Sequence, residues 1–127
     1  MNERVISKEL FAPPAYAHAV RSGTLVHSAG AVPVDADGNL VGAGDRAAQT
    51  RQVLANLQTQ LAAAGASPAD VVKTVVYVVA DRGEDLSAVW GVVRASPFSG
   101  AASTLVGVTF LGYTGQLVEV EAVAVIT

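Results

Sequence analysis

A chain of 127 residues with a formal net charge of −3 has room for one hydrophobic core, so residues 1–127 are read as a single domain. Its eight Lys and Arg residues form no basic stripe, which argues against a nucleic-acid partner, and the lack of cysteine excludes disulfides, thiolate nucleophiles and Cys-based metal sites. No apolar run is long enough to span a bilayer and MNERVISKEL holds no apolar signal segment, so a soluble, cytoplasmic protein with no membrane partner is expected.

In chain order, TLVHSAGAVPV (24–34) reads as extended chain, and DADGN (35–39) supplies Asp-Gly turn chemistry. The segment 45–65 is the clearest helix. Asp45 can cap its start, Ala47, Thr50, Leu54, Leu57, Leu61 and Ala64 recur at helical spacing, and Gly65 suits the residue beyond its end. Ser67 and Pro68 open a short helical turn. VVKTVVYVVA (71–80) is rich in β-branched residues without alternation and reads as a strand covered on both faces. A second helix is expected from near Asp85 through LSAVWGVVRA, weakened by Gly91 and the valines. SPFSGAAS (96–103) is loop, and 104–111 and 116–126 are two further strands joined by the turn-like GYTG (112–115).

Two helices cover only one face of a sheet of about four to six strands, which makes the fold α+β. Strands 73–79 and 117–126 nonetheless carry apolar side chains on both faces. With 51% hydrophobic and 15% charged residues, the second face is expected to meet another copy of the chain, sheet against sheet. The last strand, LVEVEAVAVI (117–126), is apolar apart from Glu119 and Glu121, which alternation places on one face. They lie about 7 Å apart, too far to share a proton. Such carboxylates either sit at a wet strand end or face a pocket.

Three blocks, YAHAVRSGTLVHSAGAVPVD (16–35), QTRQVLANLQTQLAAAGASPADVVKTVVYVVAD (49–81) and LVEVEAVAV (117–125), resemble in order and spacing the reactive intermediate deaminase family, also called RidA or YjgF. The resemblance covers about residues 10–126. It implies a chorismate-mutase-like fold, a mixed sheet with two main helices on one face, and a homotrimer whose sheets form a central barrel with pockets between subunits. It also implies hydrolysis of small enamines and imines to a keto acid and ammonia, with no cofactor.

Residue by residue, the resemblance assigns Glu119 to the pocket, where burial would raise its pKa and let it position a hydrolytic water. Tyr16 matches a tyrosine that closes the pocket, from its own or a neighbouring subunit, and Gly30 a glycine that lets substrate approach the backbone. The family's carboxylate-binding arginine, counted back from VGV in GAASTLVGV, falls on Ser103, or on Ala102 if the register slips by one. Neither is a cation. Ser103 and Thr104 offer hydroxyls suited to a neutral carbonyl or amide, or else they simply begin a strand. Arg94 is a candidate substitute cation, or a solvated helix-end residue. Trp90, where the family often carries a small polar residue, reads as pocket wall, stacking surface or core. His18 shares a face with Tyr16 if this part is extended, and is a candidate proton donor or a satisfied structural histidine. Glu121 inherits no role and reads as scaffold. No metal is expected. The expected substrate is a C=N compound other than the usual 2-imino acids; the alternative is a non-catalytic trimer that binds a small metabolite or serves as a scaffold.

Overall fold

In the computed structural model, which describes residues 2–127, helix α1 spans Arg46–Ala63. The extended Asp45 accepts the Ala48 amide at 3.0 Å, and Gly65, at φ 88°, turns the chain out of the helix. Val53, Leu57 and Leu61 are completely shielded beneath it. The same helix buries three side-chain amides. Gln49 donates to the carbonyls of Gly42 and Gly115, Asn56 to those of Val32 and Val34, and Gln60 to those of His18 and Ala29. A buried amide is tolerated only when its partners are supplied, and here they are loop carbonyls. Helix α1 therefore does more than cover the sheet: it pins the loops that will form the walls of the site.

The strands are β1 (Asn2–Val5), β2 (Ala19–Ser22), β3 (Leu25–Ser28), β4 (Val71–Val79), β5 (Ala102–Val108) and β6 (Val118–Val125), with helix α2 (Gly83–Arg94) between β4 and β5. They form one mixed sheet in the order β1-β2-β3-β6-β4-β5. All neighbours are antiparallel except β4 and β5, which run parallel and so need the α2 crossover. The expected α+β fold and main elements are present, with shifted strand bounds (β3 ends at Ser28, and β5 runs Ala102–Val108 against the expected 104–111) and three further differences. Strands β1 and β2 carry Glu3, Arg4 and Arg21 and show no apolar pattern, yet pair through Asn2–Ser22 to Val5–Ala19. Helix α2 starts at Gly83, ahead of Asp85, because the Asp85 carboxylate reaches back to the amides of Asp81 and Arg82. GYTG does not join neighbouring strands, since β4 lies between β5 and β6.

Alternation sorts the side chains of the central strands. Thr74, Val76 and Val78 of β4 and Val118, Val120, Ala122 and Ala124 of β6 are buried under the helices. Val75, Tyr77, Val79, Glu119, Glu121 and Val123 point the other way and are only half covered. Leu25, Val106 and Val125 extend this second face and stand well exposed. One chain leaves it open. Among the described residues no helix is long and apolar enough to cross a membrane, and no group of three His, Asp or Glu is placed to hold a metal ion.

Candidate functional site

The site begins where β6 emerges from the loop before it. Gln49 fixes that loop: its Oε1 accepts the Leu117 amide at 2.7 Å while its Nε2 holds the Gly115 carbonyl at 3.0 Å. Thus held, Gln116 turns inward and becomes buried, and Glu119 follows on the open face of the sheet. Gln116 Nε2 donates to Glu119 Oε1 at 2.9 Å. On the other side, the chain after β3 is locked to β6 by the Ala31 amide donating to Val120 at 2.8 Å. This brings the Gly30 backbone against the Glu119 carboxyl so closely that a Cβ there would sit 2.5 Å from Cδ and 2.8 Å from Cγ. Only glycine fits. Gly30→Ala is expected to push the Glu119 carboxyl aside and to cost about 1–3 kcal/mol through overpacking, read as a lower urea midpoint with an unchanged m-value.

Tyr16, Ala29, Gly30, Val32, Tyr113 and Glu119 together line a cleft of about 340 Å³. Burial holds the Glu119 carboxyl above its ordinary value; the Gln116 hydrogen bond pulls it back, and the negative charge of Glu121 raises it again. Tyr16 is held well above the ordinary phenol value, by burial first, then by hydrogen bonding and electrostatic coupling with Tyr113 and by the negative charge of Glu119. The cleft therefore combines one carboxyl poised to exchange a proton with one phenol that stays protonated. Tyr16 and Glu119 line it within a single chain. Glu121 is engaged elsewhere: Tyr77 donates to it, which pushes the Tyr77 phenol up to about 12, with burial and the two glutamate charges adding to the effect.

Of the other residues singled out from the sequence, His18 adjoins the cleft, in a small cavity it shares with Tyr16, Gly30 and Tyr113, and the rest lie elsewhere in the chain. His18 is buried behind Tyr16, with Nδ1 accepting the Ser7 amide at 2.9 Å and Nε2 at 3.1 Å from the Phe11 carbonyl. An amide on one nitrogen and a carbonyl on the other make it a neutral structural clamp, not a free proton donor. Ser103 faces the helix side of the sheet, where its Oγ accepts from Thr74 at 2.8 Å. Thr104 is on the open face, but it pairs with Val75 and accepts Lys73 Nζ at 2.8 Å, with β4 between it and Glu119. Trp90, on α2, packs against the helix-side core, and Arg94 is exposed at the end of the same helix. Within one chain none of these four lines the cleft.

Two residues that build the site went unread in the sequence. Tyr113 sits inside GYTG, where the glycines announce a turn and hide the aromatic. Gln116 lies three residues before Glu119, a spacing with no meaning until the loop's path is known. Both act through contacts that the loop makes after it folds.

Comparison with known proteins follows from this geometry. Residues 7–126 match the family described as Endoribonuclease L-PSP. A 2-iminobutanoate/2-iminopropanoate deaminase of Salmonella typhimurium is 41% identical over 63 residues, 50% of this chain and 48% of the relative. The 3-aminoacrylate deaminase RutC of Acinetobacter baylyi is 37% identical over 73 residues, 56% of this chain and 58% of the relative. The matched part thus spans about half the length of these curated relatives. Among solved structures, a Mycobacterium tuberculosis member of the YjgF family superposes with a TM-score of 0.79 at 32% identity, over 99% of this chain and 100% of the other.

Proposed function

The chain belongs to the Endoribonuclease L-PSP family, the RidA/YjgF group that includes imine and enamine deaminases, and on that premise we propose that it hydrolyses a small, uncharged enamine or imine. The observation that carries this reading is the Glu119 carboxyl, half-buried in the cleft and shifted towards the range in which it can exchange protons near neutrality. Among the described residues no Lys or Arg forms a salt bridge with it.

The chemistry is a balanced hydrolysis. Glu119 takes a proton from water as the oxygen bonds to the C=N carbon and the π pair moves to nitrogen; returning that proton to nitrogen completes the carbinolamine. Glu119 then takes the hydroxyl proton and passes it to nitrogen as the C–N bond breaks, so that ammonia leaves and a C=O product remains. Tyr16, kept protonated and hydrogen-bonded with Tyr113, forms the cleft wall beside the substrate. An enamine enters the same route once it is protonated on carbon.

The walls set the substrate class. Tyr16, Tyr113, Ala29 and Val32 flank the carboxyl, and among the described residues no Lys or Arg of the same chain lines the cleft. A substrate carboxylate would meet Glu119 with nothing to neutralise it. By the resemblance, the family's arginine place falls on Ser103, or on Ala102 if the register slips by one, and a missing charge-assisted pair costs about 1.5–3 kcal/mol, roughly ten- to a hundred-fold in affinity. The homotrimer belongs to this proposal too, supported by the apolar second face of the sheet.

Ser103 does not line the cleft of its own chain, so an arginine there acts only where a neighbouring copy of the proposed trimer brings it to a cleft. The test generates 2-iminopropanoate with a serine dehydratase and follows its hydrolysis by the parent and by Ser103→Arg. The parent is expected to be slow by about one to two orders of magnitude relative to arginine-bearing relatives, and the variant to gain. Parent activity equal to those relatives overturns the substrate assignment. Inactivity of both, together with inactivity towards neutral imines, leaves the metabolite-binding trimer as the better reading.

A further inference from the structure

Gln116 has no part in the reaction just described, yet its side chain makes three hydrogen bonds at the site. It is only 4% exposed. Its Nε2 donates to the Val118 carbonyl at 3.0 Å and to Glu119 Oε1 at 2.9 Å, and its Oε1 accepts the Tyr113 amide at 3.1 Å. The orientation of the amide is fixed by these neighbours, because Tyr113 offers a donor and Val118 an acceptor. The other oxygen of Glu119 lies over Gly30, at the cleft. An apolar side chain could fill the space beneath the loop; an amide is needed only for what it bonds.

We infer that Gln116 is a positioning residue: it holds Glu119 by one oxygen, leaves Oε2 to face the substrate, and ties the carboxyl to the Tyr113 wall of the cleft. The assignment rests on the reading of Glu119 as the proton acceptor. Its electrostatic consequence follows from what surrounds the carboxyl. Glu121 faces it along β6, Tyr77 across from β4, and Tyr16 and Tyr113 from the loops. Burial and Glu121 favour the neutral form, and the Gln116 donor favours the charged one. Gln116 thus opposes the upward pull of burial and of Glu121 on the Glu119 carboxyl.

The experiment is an NMR titration of the Glu119 side-chain carboxyl, without substrate, in the parent, in Gln116→Met and in Gln116→Glu. Removing the donor is expected to raise the Glu119 midpoint by about one pH unit in Gln116→Met. The rise should be larger in Gln116→Glu, where two carboxyls face each other across one proton. In the parent, the Gln116 side-chain amide protons should shift through the same midpoint as Glu119. An unchanged or lowered midpoint in either folded variant overturns the assignment. So do parent amide signals that ignore the Glu119 titration, a result that needs no variant to fold. Should the coupling be present in a protein that hydrolyses no imine, Gln116 still holds Glu119 and only the functional reading falls.

Discussion

Glu119→Gln is expected to lower hydrolysis by about 10²–10⁴-fold while raising the stability of the fold at neutral pH. The two effects share one cause. Burial places the Glu119 carboxyl above its ordinary value of 4.5, so the folded chain binds that proton more tightly than the unfolded chain does. The contribution to stability is complete below about pH 4.5 and is lost as the pH rises through the folded value. At neutral pH the ionised carboxylate is therefore a local cost. The amide keeps its shape and can still accept from Gln116, but it never ionises. Thermal melts should show a constant gap between parent and variant below about pH 4.5, and a gap growing in the variant's favour above it. In the parent, the rate should fall on the acid side through a midpoint above 4.5. Parent-like activity in Glu119→Gln would remove this residue from the chemistry.

Val106→Glu is expected to turn the proposed trimer into separate chains that remain folded. Val106 is 37% exposed in one chain, at the open face of β5 and paired with Tyr77, so a charge there does not disturb the core beneath the helices. Where sheet meets sheet, the same charge loses its water with no partner supplied, at a cost of several kcal/mol per copy. Sedimentation at micromolar concentration should show the parent at three chain masses and the variant at one. A parent that sediments as a folded single chain would show that no such contact exists, and the exposed valines would need another explanation.

What the sequence discloses here depends on how local each determinant is. Asp45 and Gly65 bracket α1 because a cap involves only its own turn. The shared face of Glu119 and Glu121 follows from the period of a strand, and the greasy second face from the failure of VVKTVVYVV to alternate. Strands β1 and β2 escape notice because NERV and AVRS are held by pairing with each other rather than by any pattern of their own. Ser103 and Thr104 illustrate a sharper limit: a difference of one residue sends the first to Thr74 under the helices and the second to Lys73 on the far side. His18 does share a small cavity with Tyr16, but both its ring nitrogens are taken by the backbone of Ser7 and Phe11, contacts that no local pattern announces. Tyr113 and Gln116 meet Gly30 and Tyr16 across more than eighty residues of chain, a distance over which no sequence period operates.

The position of β6 has a consequence for how the molecule comes into being. Residues 118–125 are the last strand in sequence and yet lie between β3 and β4, at the middle of the sheet. Until they arrive, the β2–β3 hairpin and the β4–β5 pair have no shared neighbour, and α1 has only half a floor to rest on. A nascent chain must therefore carry Val76, Val78 and Leu57 unsheltered until synthesis has passed residue 125. Contacts of such long sequence separation put refolding on a slow, all-at-once path, with chaperone dependence during synthesis as its cellular counterpart.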